Sequence, residues 1–191
     1  MKTALREILI KAKPVLLEIL ITLALAIAIF LILQFTIQSF IVVEHCMEPS
    51  FHEGERLLVN KVIFHFTDPK RGDVIILHPP IDPEAVYIKR IIAIPGDTIE
   101  VKEGAVYING IKLDEPYIKE PPTYTLTERI IPENEYFVLG DNRNNANDSH
   151  KWGTVSRENI IGKAWLRFWP LKEWGFVHHY PLAEQLPSPS E

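Results

Sequence analysis

Cysteine occurs once in the 191 residues, at Cys46. No intrachain disulfide can form, so that thiol is free and a candidate reactive group in its own right. The seven histidines fall at no zinc-ligand spacing, and His178-His179 reads as a solvated pair. No glycine-rich phosphate loop occurs. Neither a metal, a nucleotide nor any other cofactor is implied.

Formal charge is also missing from one long stretch. Between Ile19 and Val43 there is no Asp, Glu, Lys or Arg. As a helix these residues would span about 37 Å, against a hydrocarbon core of about 30 Å. A buried core helix or a cleavable leader would share the composition. The run is long for the former, and it ends in Gln38-Ser39-Phe40-Ile41-Val42-Val43, without the small-x-small site of the latter. We read 15–42 as an uncleaved transmembrane anchor. Lys2, Arg6, Lys11 and Lys13 precede it, partly offset by Glu7 and Glu18. Basic flanks favour the cytoplasmic side, so 1–14 is expected inside and the rest outside. Beyond Val42 there are 16 Lys and Arg against 23 Asp and Glu. That acidic balance excludes nucleic acid as an expected partner.

The exported part lacks long helical periodicity and carries short β-branched and aromatic runs instead. These are Arg56–Phe66, Asp73–Leu77, Val86–Ile94, Thr98–Val101, Ala105–Ile108, Arg129–Ile131, Tyr136–Leu139 and Gly162–Phe168. Turn signals separate them, such as Pro95-Gly96-Asp97 and Lys102-Glu103-Gly104. Asn109-Gly110 between two apolar runs is a strong hairpin signal. The pattern predicts one N-terminal transmembrane α-helix followed by a mainly antiparallel β domain, barrel-like, over 43–181. Pro116–Thr127 reads as a surface loop, and 182–191 as a flexible tail.

Four segments stand outside the strand pattern: Val43-Glu44-His45-Cys46-Met47-Glu48-Pro49-Ser50-Phe51, Arg71-Gly72-Asp73-Val74-Ile75, Tyr87-Ile88-Lys89-Arg90 running to Pro95-Gly96-Asp97, and Gly140-Asp141-Asn142-Arg143 running to Asp148-Ser149-His150. In order and spacing they resemble the boxes of bacterial type I signal peptidases. Phe168-Trp169-Pro170 and Trp174-Gly175-Phe176 resemble the family's C-terminal end. The resemblance runs from the anchor to about Val177. It implies a membrane-bound serine–lysine endopeptidase that removes signal peptides from exported preproteins, with its catalytic lysine at Lys89. A lysine acts as a base only where desolvation lowers its ordinary value near 10.4, and Val86, Tyr87, Ile88, Ile91 and Ile92 surround this one in sequence. The substrate would add as a strand and present small residues to two shallow pockets.

The chain departs from the family at the nucleophile, where Cys46 stands for the expected serine. Three readings follow: a cysteine–lysine peptidase, a residue substituted in an engineered chain, or a homologue with weakened activity. A thiol, near 8.5, is more acidic than lysine, so a Cys46–Lys89 pair would favour thiolate and ammonium. Ala146 occupies the position of a serine that usually bonds the catalytic lysine. His150 follows Asp148-Ser149 where arginine is usual. Glu44 takes the place of an oxyanion-assisting serine found in some members. His150 is open to contact with Cys46 or Asp148, whereas His45 would point away from Cys46 on an extended strand. Asp141, Asn142, Arg143, Asp148 and Ser149 are expected as supporting structure. A silent binding protein of the same fold and a redox sensor built on Cys46 are the rival readings. Signal peptides and the lipid bilayer are the expected partners; the sequence says nothing of oligomeric state.

Overall fold

The computed structural model describes residues 2–186, in two units divided between Ile37 and Gln38. The first is the helix α1, Lys2–Thr36, which contains Pro14. From Lys13 to Thr36 it is apolar enough to cross a membrane by length and composition. At about 1.5 Å per residue that segment is about 36 Å long.

The second unit is the β domain. In chain order its strands are β1 (Ile37–Ile41), β2 (Arg56–Asn60), β3 (Val74–Leu77), β4 (Tyr87–Ala93), β5 (Thr98–Lys102), β6 (Ala105–Ile108), β7 (Ile111–Lys112), β8 (Leu126–Ile130), β9 (Glu135–Leu139), β10 (Val155–Ser156), β11 (Ile160–Trp169) and β12 (Gly175–Phe176). A short helix, α2 (Ser149–Trp152), lies between β9 and β10. The main sheet runs β1-β2-β11-β3-β4-β9-β10, with β12 paired to β11. A smaller sheet runs β7-β6-β5-β8. The pairings of β2 and β3 with β11, and of β4 with β3 and β9, are antiparallel, and all but β3–β4 are broken by register shifts. Such shifts bend and twist a sheet, and the domain is accordingly a curled, mainly antiparallel β fold.

The centre of the main sheet explains the sequence best. β3 is buried along its whole length, and β4 is buried after Tyr87. A strand covered on both faces reads as a continuous apolar run rather than an alternation. Lys89 and Arg90 are therefore buried neighbours directed to opposite faces. Asn109 and Gly110 both have positive φ, 53° and 77°, as a type I′ hairpin turn requires.

Three expectations need correction. The apolar run read as 15–42 is divided: α1 ends at Thr36 and Ile37–Ile41 continues as β1. Beyond β1, Val42 donates to Glu55 O at 2.8 Å and accepts from Gly54 N at 2.9 Å. These bonds and the pairing of β1 with β2 draw the β-branched and aromatic end of the run into the sheet. The helix also reaches back to Lys2, through the segment read as a tail. At the other end Leu182 and Leu186 belong to the core, a single helical turn apart, and Gln185 Nε2 donates to Asp114 O at 3.1 Å. The expected flexible tail is packed as far as Leu186; 187–191 lie outside the described residues.

Arg56–Phe66 is likewise not one strand. Asn60 Oδ1 accepts from the main-chain N–H groups of Val62 and Ile63 at 3.1 and 3.0 Å. That capping ends β2 and turns the chain into a 3-10 turn at Ile63–His65. Val42, Met47, Phe51 and Phe64 are core, whereas Val43 and Phe66 are exposed. His178 is solvated as expected, but His179 is half-buried against Val74, whose N–H it accepts at 3.1 Å.

Candidate active site

Cys46 lies in a turn after β1, closed by the bond from Phe51 N to Met47 O at 2.9 Å. The residue is 3% exposed. Its sulfur meets Lys89 Nζ at 3.0 Å, with Ile88 O 3.8 Å away. Lys89, 1% exposed, comes from the middle of β4. Its Nζ also donates to Ile88 O at 3.0 Å and lies 4.9 Å from the centre of the Tyr87 ring. Ala146 supplies no hydroxyl to this amine, and the main-chain carbonyl of Ile88 acts as its oxygen acceptor.

A cavity of about 270 Å³ opens beside this pair, lined by Phe40, Val43, Glu44, Val86, Tyr87 and Ile88 among others. Its walls come from the chain leading to Cys46 and from the start of β4. A second hollow of about 350 Å³ is lined by Glu44, His45, Lys151 and the run Asn144–Asn147.

Behind the turn stands the segment after β9. Asn142 donates its main-chain N–H to Cys46 O and its Nδ2 to His45 O, both at 3.0 Å. Gly140 packs so close that a Cβ there would lie 2.5 Å from Cys46 O and 2.7 Å from Ala146 Cβ. Only glycine fits without moving the turn that carries Cys46.

The expected supporting residues are all buried, and each has a visible task. Asp141 accepts Arg90 Nε and Nη2 at 2.8 and 2.7 Å. Burial alone would lower the Arg90 guanidinium, but the hydrogen bonds and charge of Asp141 outweigh it and hold it above the ordinary arginine value. Arg90 also stacks against Tyr117 and donates to Gly72 O at 3.0 Å. Arg143 donates to Gly140 O at 3.2 Å and forms a two-pronged pair with Glu115. Asp148 Oδ2 accepts Gly140 N at 2.9 Å, and Ser149 Oγ accepts Val138 N at 3.0 Å.

His150 settles on Asp148, with Nδ1 2.6 Å from Oδ1, and stacks on Tyr124 with ring centres 4.0 Å apart. In the tautomer that carries a proton on Nδ1 it donates there. His45 is exposed and pairs with Glu48 at 2.7 Å, whereas the thiol is buried.

Sequence reasoning missed Glu115, Tyr117, Tyr124 and Tyr180. All but Tyr180 lie in or beside the loop 116–127, and their only signal was the presence of aromatic and acidic residues there. It named Arg71 and Asp97 only within motifs. They form a buried ion pair, and Asp97 further accepts from Ile94 N and Asn109 Nδ2 at 2.9 Å each. Gly72 (φ +90°) passes so close to Tyr180 that a Cβ would overlap its carbonyl.

A family model described as "Signal peptidase, peptidase S26" matches residues 15–169. The chain belongs to this family. Signal peptidases are hydrolases that cut signal peptides from exported preproteins, and this chain is accordingly a peptidase. Among curated signal peptidases, a probable signal peptidase I-1 of Synechocystis is 48% identical over 136 residues, covering 68% of this chain and 69% of that protein. The signal peptidase I of Leptolyngbya laminosa is 42% identical, covering 86% and 85%. Signal peptidase IB of Staphylococcus aureus is 33% identical, covering 88% and 96%. A crystal structure of a signal peptidase I from Enterococcus faecalis aligns with a TM-score of 0.47 at 32% identity, covering 51% of this chain and 97% of that one.

Proposed function

We propose that this signal peptidase uses Cys46 as its nucleophile and Lys89 as its proton carrier. The 3.0 Å contact between Lys89 Nζ and Cys46 Sγ, at the edge of a cavity, carries the reading. Neutral Lys89 takes the thiol proton, and the thiolate attacks the carbonyl before the cut. The main-chain N–H of Cys46 is the expected donor to the oxyanion. Lys89 then protonates the leaving amine, freeing the mature chain and leaving a thioester. Water, activated by the same amine, hydrolyses the thioester and restores the thiol.

Asp141, Asn142, Arg143, Asp148 and Ser149 serve this pair by holding the chain around it. The short Ile88 O contact supports a lysine oriented without a serine at position 146. Residues 13–36 cross the lipid bilayer, with the N-terminus cytoplasmic and the β domain outside. The anchor then holds enzyme and membrane-borne substrate in one plane, which raises their effective concentration.

The test uses the purified full chain in detergent with a preprotein bearing an Ala-x-Ala site. Cutting should vanish on thiol alkylation and in Cys46→Ala and Lys89→Ala. A silent parent whose Cys46→Ser form cuts would overturn the thiol nucleophile while keeping the site. Silence in both would return the reading to a binding protein.

A further inference from the structure

Glu44 has a backbone that glycine adopts freely and other residues rarely do, with φ at 77°. A non-glycine residue there is strained, and strain of this kind points to function when it lies at a site. It lies at one here, two residues before Cys46. Glu44 is exposed, and it lines both the cavity beside Lys89 and the hollow formed by His45, Asn144–Asn147 and Lys151. It forms the wall common to the two.

The two hollows differ in chemistry. Phe40, Val43, Val86 and Ile88 give the first apolar walls. The second is walled mainly by amides and charge. The apolar cavity therefore suits the residues before the cut, and the polar one the first residues of the mature chain. Among the described residues, Glu44 makes no hydrogen bond or ion pair; His45 and Glu48 pair with each other, and Lys151 Nζ donates to Ala146 O at 2.8 Å. A substrate cation entering the polar hollow would meet an unengaged carboxylate.

We propose that Glu44 is a specificity-determining residue, favouring a cationic side chain among the first two mature residues and disfavouring an acidic one. This rests on the signal-peptidase reading of the site. Charge discrimination of this kind acts on substrate choice by attraction and by repulsion together. At a partly exposed position each sign contributes modestly, so the Lys-to-Glu swing should be roughly fivefold, and screened by salt.

The experiment takes three preproteins alike except for Lys, Gln or Glu at both of the first two mature positions. The full chain in detergent is assayed for kcat/KM on each. Binding of the uncut peptides to the Cys46→Ala form is followed by fluorescence anisotropy. The Lys substrate should be preferred over Glu about fivefold in both readouts at low salt. The preference should shrink towards unity in 0.5 M salt (an ionic strength with a Debye length of only about 4 Å) and in Glu44→Gln, and should reverse in Glu44→Lys. Because the readout is a ratio, a variant that folds poorly lowers every rate without moving it. Equal cutting of all three substrates, a preference for Glu set by Lys151, or a ratio unchanged in Glu44→Gln would overturn the inference. Failure to cut any of them would overturn the signal-peptidase reading instead, and the binding ratio would still decide the role of Glu44.

Discussion

Asn142 grips the turn that carries Cys46 from two sides, through its main-chain N–H to Cys46 O and its Nδ2 to His45 O, each at 3.0 Å. The two residues are far apart in sequence, and the contact ties the carbonyls of His45 and Cys46 to the segment after β9. A side-chain hydrogen bond of this kind contributes about 1 kcal/mol, and loss of positioning raises the cost in catalysis. Asn142→Ala and Asn142→Asp should therefore each lower kcat by roughly tenfold or more while KM changes little. Asp fails because a carboxylate cannot donate to His45 O. Steady-state kinetics on an Ala-x-Ala substrate, beside a melting curve, would check this. A fall in melting temperature with unchanged kcat would show a merely structural bond.

The strand content was legible because the chain alternates or runs apolar in short segments between strong turn residues. Asn109-Gly110 gave its hairpin outright. The end of the apolar run was not legible: Ile37–Ile41 is apolar enough for lipid, and only pairing with β2 turns it into a strand. Leu182 and Leu186 were lost in the same way, since one helical turn between prolines carries no periodic signal and is fixed by the core it meets. At the site, the resemblance to signal peptidases pointed to Cys46 and Lys89, but no local pattern foretells that Asp141 meets Arg90 or that Arg143 meets Glu115. Those are long-range pairs: the first follows from β4 lying beside β9, the second from the loop after β7 meeting the segment after β9.

Removing one partner of the Arg90–Asp141 pair should be far worse than its modest sequence signal suggests. Both side chains are 0% exposed. Asp141→Ala would leave a guanidinium buried without its anion, a cost of about 3–5 kcal/mol. That is a large share of the stability of a domain of this size. The variant should unfold at a markedly lower urea midpoint and recover poorly after expression. Asp141→Asn, which keeps an acceptor oxygen but loses the charge, should fall between it and the parent.

Lys89 should show the opposite balance. Its amine is buried with Cys46 Sγ and Ile88 O as its hydrogen-bond partners, in an otherwise apolar setting of β3 and β4. Burying an amine costs more than such contacts return. Lys89→Met preserves the length and removes the polar group, so it should abolish cutting yet raise stability by about 1 kcal/mol, in the usual trade of activity against stability. Calorimetry of the full chain in detergent would check it. A lower melting temperature would mean that the amine is a net structural contributor.

Stability should weaken in acid through His179. Burial first, and the nearby Lys163 charge second, hold its imidazole at about 4, against the weaker pull of Asp73. Geometry agrees, because Nδ1 accepts the N–H of Val74 at 3.1 Å and cannot do so once protonated. The unfolded chain titrates this group near 6.5. Between about 6.5 and 4 the unfolded state thus binds a proton that the folded state refuses, and stability rises with pH across that window. The contribution is fully present above 6.5 and declines as pH falls towards 4. From pH 7.5 to pH 5 the loss should be about 2 kcal/mol. His179→Gln does not titrate and has an oxygen that can accept from Val74, so its urea midpoint should fall less over the same interval. Equal losses in parent and variant would assign the acid sensitivity to the carboxylates instead.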